Sequence, residues 1–484
     1  MSDQEKTGLG NYFVANYPPF SAWTANSLPD AFAALDAPPR PSTPLGLYLH
    51  IPFCRKRCKF CYFRVYTDKN ARDVDVYLDA LTKELELYRQ RPIVRDRKLH
   101  FVYFGGGTPS YLSATQLRDL FGRVQALFPW HDAAEVTFEC EPGTLQQHKL
   151  DALKQVGITR LSLGIENFND KILESNGRAH LSAEIFRAYQ WARDLQFAQI
   201  NIDLIAGMVG ETWDNWRDCV RKTIELAPDS VTVYQMELPY NTVFSNELAR
   251  SSPLPLYSGG EGPGVRGRPT QSRDAAANDA EPLTPGPSPL STGERGGTSH
   301  AVDPATIADW PTKRAWVDYA FAEMSAAGYS VSSAYTMVRD PARTKFVYRD
   351  SLWRGADMLG TGVASFGHVS GVHVQNVDRW EQYVEMLQKG ELPLGRALRV
   401  APGQLLRREM MLQLKTGRLN ADYFRAKFGQ DILSTFADGF GQLQNDGFLT
   451  VAGGNVELTR AGLLQVDRLL PAFFEAEHRG TRYT

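Results

Sequence analysis

Cysteine is scarce in this chain: 484 residues hold five, namely Cys54, Cys58, Cys61, Cys140 and Cys219. Three of them fall within one octapeptide. A disulfide framework would spread an even set along the chain and would need an oxidising compartment, so the clustered three ask for a metal instead. Cys140 and Cys219, standing alone, read as small buried residues. Excess charge is lacking too. The formal net charge is −2, which excludes a broad basic surface for nucleic acid. No apolar run approaches the roughly 20 residues that span a bilayer. The first residues, MSDQEKTGLGNYF, have neither the basic nor the apolar region of a secretory signal, so a cytoplasmic location is expected. What is present is ordinary: 43% apolar and 22% charged residues, a globular balance. The length suffices for a large catalytic core plus a smaller domain.

From Leu45 to Gln235, short β-rich runs alternate with helix-period segments. The runs are LYLHI (47–51), LHFVYF (99–104), EVTFE (135–139), TRLSLG (159–164), QINIDLI (199–205) and DSVTVYQ (229–235). Their near-continuous apolar or β-branched character predicts strands covered on both faces. Between them, Tyr77, Leu81, Leu85 and Tyr88 share one helix face. Ser113 with Gln116 forms a capping box ahead of Leu117, Leu120, Val124 and Leu127. Six βα units in succession imply a parallel sheet with right-handed crossovers. A partial or complete (β/α) barrel fits better than an open doubly wound sheet, although periodicity alone does not separate the two.

The pattern breaks at 251–300, where 17 residues are Gly or Pro and Phe and Trp are absent. Such a segment cannot offset its ordering entropy and is expected to be a disordered insertion. Order resumes with a helix at 312–328 and strand-like YSVSSAY. In the last block an amphipathic helix lies around 404–415 and another at 432–444. FLTVAGGNVELT and a final helix follow, suggesting a mostly helical, winged-helix-like domain.

Two motifs carry chemistry. Cys54-x-x-x-Cys58-x-x-Cys61 follows the first predicted strand. Thiolates at this spacing can wrap one cuboidal iron–sulfur cluster from a single loop, leaving one iron open to chelate a ligand. The alternative is a zinc site completed by a distant histidine. The position argues against it, because active sites of parallel α/β folds gather at C-terminal strand ends. Gly105-Gly106-Gly107-Thr108-Pro109 ends the second strand, where glycines admit close approach and are expected to leave N–H groups free for a ligand. Acids recur at the ends of later strands: Glu139, Glu166, and Asp203 among Ile202, Leu204 and Ile205. A buried acid needs a partner, so either a ligand or a salt bridge is implied. Arg178 can bind a carboxylate as a bidentate fork.

YLHIPFCRKRCKFCYF (48–63), YFGGGTP (103–109), TFECEPGT (137–144), LSLGIENF (161–168), SNGRAH (175–180) and NIDLIAGMVGET (201–212) together resemble radical S-adenosylmethionine (SAM) enzymes of the oxygen-independent coproporphyrinogen III oxidase family. That family includes oxidases, heme chaperones and relatives that transfer methyl or methylene groups. The resemblance runs from about Leu45 to Phe244 and resumes at GADMLGTGVASFG (355–367) and through the C-terminal block. It implies a partial (β/α)6 barrel, a [4Fe–4S] cluster on Cys54, Cys58 and Cys61, and SAM on its open iron. Reductive cleavage of SAM would give a 5′-deoxyadenosyl radical that abstracts hydrogen from a substrate. Glu139, Arg178 and Asp203 match positions that hold SAM, and Gly105, Gly106, Gly107 and Thr108 match the loop near its amino group. Tyr48 and His50 match residues beside the cluster, the candidate catalytic pair. Glu166 matches a position that is glutamine in the oxidases. Phe63 stands where the oxidases carry a further cysteine, and Ser333-Ala334-Tyr335 replaces an Asp-His-Phe type segment.

The resemblance divides the chain into an N-terminal extension (1–44), a radical SAM core (45–250), the insertion (251–300), a core continuation (301–398) and a C-terminal domain (399–484). The implied partners are a small-molecule, tetrapyrrole-like substrate and an electron donor such as flavodoxin or ferredoxin. A heme chaperone is the other reading, with His50, His180 or His368 as heme ligands.

Overall fold

In the computed structural model, residues 13–239, 242–251 and 303–479 are described. The insertion expected over 251–300 lies outside them apart from Ser251. Among the described residues twelve strands form one sheet: β1 Leu45–Ile51, β2 Leu99–Gly106, β3 Glu135–Cys140, β4 Arg160–Glu166, β5 Gln199–Ala206, β6 Ser230–Gln235, β7 Ser330–Ser333, β8 Thr336–Val338, β9 Asp357–Thr361, β10 Phe366–Val369, β11 Val372–Asn376 and β12 Leu394–Arg399. The order is β12-β11-β10-β9-β1-β2-β3-β4-β5-β6-β8-β7. β9 and β1 to β6 run parallel, joined by helical crossovers, and antiparallel hairpins extend both edges. β7 and β12 do not pair, so the barrel is partial.

All six predicted parallel strands form. One face of each is apolar and packs on the crossover helices. Leu47, Leu49, Phe104, Phe138, Leu161, Leu163, Ile200, Ile202 and Val231 are essentially unexposed there. The opposite face differs from the expected apolar one. Thr137, Glu139, Ser162, Asn201, Asp203, Ser230 and Thr232 alternate with those core residues and line a polar lumen. In the lumen, Asn201 donates to Ser162 Oγ (3.0 Å) and Asp203 Oδ1 (2.8 Å), and Ser230 donates to Asn201 Oδ1 (2.8 Å). Burial raised the apparent hydrophobicity of these strands while their pleat followed period two.

The helix Ala71–Arg89 begins at an Asn70–Asp73 capping box and buries Tyr77, Leu81, Leu85 and Tyr88 as its stripe predicts. The Ser113–Gln116 box forms as well. The first helix also carries a fully buried acid. Glu84 accepts from Gly362 N (2.8 Å), Asn376 Nδ2 (2.7 Å) and Tyr383 OH (2.7 Å), and burial pushes its pKa up to about 7 against those three bonds. Glu84 thereby bolts the turn after β9 to the helix. Glu84→Ala orphans the buried Gly362 N and Tyr383 OH, each worth roughly 1–3 kcal/mol, while Asn376 Nδ2 keeps Gly362 O and Ser365 Oγ. A large fall in the urea midpoint is expected, and a smaller one for Glu84→Gln, which keeps an acceptor. Equal midpoints for Glu84→Ala and wild type would contradict this.

The N-terminal segment is no loose extension. Tyr17 and Trp23 are buried, Thr24 bridges to Ala397 beside β12, and the helix Leu28–Leu35 packs on β11 and β12. Beyond the barrel, the helices Pro402–Leu414, Ala421–Phe428, Ile432–Thr435 and Ala437–Asn445 precede a hairpin of β14 Leu449–Ala452 and β15 Asn455–Leu458, with β13 Arg418–Asn420 added on β15. The helix expected over 432–444 is interrupted at Phe436, whose backbone leaves the helical region (φ −118°, ψ 30°). No helix among the described residues is long and apolar enough to cross a membrane.

Candidate functional site

β1 ends at Ile51, and the next residues form an irregular loop bearing Cys54, Cys58 and Cys61. Tyr66 N donates to Pro52 O (2.8 Å) and Cys54 N to Tyr66 O (3.1 Å), closing the loop on itself. Cys54 Sγ lies 3.3 Å from Thr108 Oγ1. Burial pushes the Cys54 thiol up to about 12 and the Cys61 thiol to about 11, and the neighbouring thiols add to both shifts. Such thiols are neutral until a metal displaces their protons. Among the described residues the three sulfurs do not gather within 4.8 Å of one another, as ligands of a single tetrahedral ion would.

The glycine run is a place of close packing. Gly106 N donates to Glu139 Oε2 (3.2 Å), Gly107 N to Ile51 O (2.8 Å) and Thr108 N to Phe53 O (2.8 Å). The amides expected to be free are therefore engaged. Glycine is needed because a Cβ on Gly107 would sit 2.8 Å from the Pro52 backbone, and one on Gly106 (φ +111°) 2.5 Å from the His50 ring. The run brings the cysteine loop flush against the end of β2.

Glu139, Glu166, Arg178 and Asp203 come together at the C-terminal end of the parallel strands. Glu139 accepts from Tyr103 OH (2.6 Å). Asp203 accepts from Ser162 Oγ (2.8 Å) and from Asn201. Glu166 sits at a left-handed φ of +67°, beside a register shift in β4 against β5, and its Oε1 lies 3.7 Å from Arg178 Nη2. Arg178 also donates to Gly164 O (2.5 Å) and to Cys58 Sγ (3.3 Å). Its buried Nε has no partner among the described residues. Burial raises both Glu139 and Glu166 to about 7, and their mutual charge with Asp203 adds to the shift. Burial raises Asp203 as well, against its hydrogen bonds. Three lumenal carboxylates thus share two guanidiniums, Arg178 beside Glu166 and Arg160, whose charge acts on Asp203 from β4.

Tyr48 OH lies 3.2 Å from His50 Nδ1, and the Tyr48 ring stacks on Tyr103 (5.9 Å). Burial lowers His50 to about 4, so the ring is neutral at neutral pH. Sequence reasoning missed Tyr103, the partner of Glu139, although its place two residues before the glycines marks it as lumenal. It also missed Tyr77, whose hydroxyl donates to His50 O (2.7 Å) and anchors the end of β1. Glu141 and Tyr234 gave no local signal. Tyr234 ends β6, 43% exposed, in the field of Asp203, Glu139 and Glu166.

Residues 48–223 match the family model of the radical SAM superfamily, and residues 400–464 match that of the HemN C-terminal domain. The oxygen-independent coproporphyrinogen III oxidase of Synechocystis sp. is 26% identical over 480 residues, 96% of this chain and 92% of the relative. The heme chaperone HemW of Haemophilus influenzae is 34% identical over 204 residues, 42% of this chain and 53% of the relative. The solved coproporphyrinogen III oxidase HemN of Escherichia coli shares the fold, with a TM-score of 0.75, 22% identity and 96% of each chain covered. The chain belongs to the radical SAM superfamily and, within it, to the family that includes oxygen-independent coproporphyrinogen III oxidases and HemW heme chaperones. Membership carries the superfamily's two cofactors, a [4Fe–4S] cluster and SAM. The residues fit both. Three half-buried thiols share one loop, and three neighbouring acids whose pKa values are all raised suit a sulfonium and an ammonium.

Proposed function

We propose that Cys54, Cys58 and Cys61 hold the cluster, that Glu139, Glu166, Arg178 and Asp203 hold SAM, and that the chain acts on a porphyrinogen-like tetrapyrrole in the manner of a coproporphyrinogen III oxidase. The observation that carries this reading is the placement of the thiol loop beside Glu139, Glu166 and Asp203, with Arg178 reaching both Cys58 and Glu166. When bound, the cluster and SAM supply a 5′-deoxyadenosyl radical for hydrogen abstraction. The chain's own residues bind, orient and exclude water. Arg178 bridges the thiol loop and the acids, so the two cofactors share one electrostatic frame. Tyr103 and Gly106 fix the carboxylate of Glu139. Tyr48 and His50, neutral and hydrogen-bonded to each other, wall the lumen beside the cysteine loop and hold no exchangeable charge there at neutral pH.

Substrate access fits an open-sided recess beyond the end of β6, lined by Phe13, Tyr234, Glu237, Trp310, Tyr335 and Asp467. Exposed Tyr62 and Phe63 follow the last cysteine with ring centroids 4.6 Å apart. The four pyrrole rings of a porphyrinogen, separate aromatic faces joined by methylene bridges, can each stack on this aromatic rim. The heme-chaperone reading is less well supported by the three candidate heme ligands. His180 lies 2.9 Å from Glu141 Oε1, His368 Nδ1 lies 2.8 Å from His373 Nδ1 inside the sheet, and His50 is engaged by Tyr48.

The test is an anaerobic assay of reconstituted protein with dithionite, SAM and coproporphyrinogen III. Protoporphyrinogen formed together with 5′-deoxyadenosine is the expected result. Stoichiometric hemin binding with a shifted Soret band, and no turnover of the porphyrinogen, would overturn it in favour of the chaperone.

A further inference from the structure

The cysteine loop has no regular secondary structure, yet it must hold three sulfurs at fixed positions. Its own backbone bonds secure the two ends. Side-chain bonds are few. Arg55, directly after Cys54, forms a two-pronged bond with Glu141: Nε to Oε2 at 3.2 Å and Nη2 to Oε1 at 3.1 Å. The same Nη2 donates to Ala179 O (2.9 Å). Glu141 lies two residues beyond Glu139, just past β3, and its Oε1 further accepts from Gly143 N (3.0 Å) and meets His180 Nδ1 at 2.9 Å. The His180 ring is wholly buried, with Nε2 3.2 Å from Ile165 O at the end of β4. Burial pushes the Glu141 carboxyl up, but its bond and charge with His180, together with Arg178 and Arg55, outweigh this and hold it at about 2.

Glu141 is therefore the meeting point of three pieces: the cysteine loop through Arg55, the 178–180 segment through His180, and the turn after β3. That 178–180 segment carries Arg178, which donates to Cys58 Sγ. A second bond ties the same pieces, Lys59 N to Asn176 O (3.0 Å). Gly177 completes the fit, since a Cβ there would lie 3.1 Å from Lys59 N and 3.2 Å from Arg57 O. Gly143 leaves the space that the Arg55 guanidinium fills.

We propose that Glu141 is a positioning residue: through Arg55 and His180 it sets the cysteine loop against Arg178 and so fixes the cluster in its site. This rests on the assignment of Cys54, Cys58 and Cys61 as cluster ligands. Partners one shell removed from a metal commonly change its retention by ten- to a hundredfold, and a bidentate arginine–carboxylate pair carries geometry as well as energy.

The experiment follows iron release from the reconstituted full chain into a ferrous chelator, beside thermal melts of the apoprotein. Arg55→Met and Glu141→Gln are each expected to lose iron about tenfold faster than wild type. The double variant should lose it no faster than the worse single one, because both break one bracket. Arg55→Lys, which keeps the charge but not the fork, should also release iron faster. Arg55 is largely solvent-exposed, so its variants fold even where Glu141→Gln does not, and their melting temperature should match wild type. Wild-type release rates in Arg55→Met overturn the proposal. So does a Glu141→Gln effect confined to the melting temperature, which would make the acid a fold element only. A wild-type chain that takes up no cluster at all would refute the ligand assignment, a different outcome from unchanged release.

Discussion

Cys58→Ala is expected to abolish the cluster: iron after anaerobic reconstitution should fall from about four per chain to near zero. Cys54→Ala and Cys61→Ala should do the same. The reason is geometric. The loop offers three thiols, and no other thiol among the described residues can swing in. Cys140 is buried behind β3, 3.7 Å from Phe138 O, and Cys219 lies under the crossover helix Trp213–Leu226, with its sulfur 3.2 Å from Asn167 Oδ1. Cys58→Ala has a further consequence. Arg178 loses the sulfur it faces and keeps only Gly164 O and the distant Glu166 carboxylate, so SAM affinity should fall as well. Cys140→Ala and Cys219→Ala should retain full iron, with only the modest instability of a truncated core side chain. Iron equal to wild type in Cys58→Ala would remove that residue from the site. A single zinc bound per chain, in place of four irons, would refute the cluster assignment altogether.

The parallel strands were legible because each is a short apolar run with turn residues at its ends, and the capping signals fixed the helices between them. The strands β9 to β12, on the far side of β1, were not. FGHV and VHVQN mix histidine, glutamine and glycine, and they become strands only because neighbouring strands complete their ladders. The docking of Tyr17 and Trp23 was equally invisible, since it depends on partners more than 300 residues away, such as His373, on which Trp23 stacks. At the site, spacing exposed the cysteines, and apolar context exposed Asp203. The bracket around Glu141 gave no sign: an arginine between cysteines and a glutamate after a strand are unremarkable until the fold brings them together. The glycine run was read as a place of close approach, and its amides bond to the Glu139 side chain, to Ile51 at the end of β1 and to Phe53 in the cysteine loop.

Asp203→Asn is expected to weaken SAM binding by about tenfold while leaving the apoprotein as stable as wild type, or more so. Ile202 and Leu204, which make this acid look anomalous in sequence, point to the opposite face of β5. Asp203 itself points into the lumen and accepts from Ser162 and Asn201. Its hydrogen bonds are therefore met by uncharged donors, and no salt bridge to a helix holds it. Its charge is offset only in part, by Arg160 on β4. Burial and mutual repulsion raise Glu139 and Glu166 to about 7, and Asp203 shifts in the same direction. A carboxyl whose folded pKa lies above its unfolded value binds more protons in the native state. Stability is then lost as pH rises from the unfolded value, near 4.3 for glutamate, through the folded one. Ionised at neutral pH, these acids repel one another, and a sulfonium or ammonium relieves that repulsion. Two measurements follow. Calorimetric titration should show SAM affinity falling below pH 7 as Glu139 and Glu166 take up protons. The rise in melting temperature caused by SAM should grow between about pH 5 and pH 8. Asp203→Asn removes one of three like charges, so the apoprotein's loss of stability across that range should shrink, and the cluster should remain. A melting temperature well below wild type with SAM affinity unchanged would instead make Asp203 a member of the Asn201–Ser162 core ladder and nothing more.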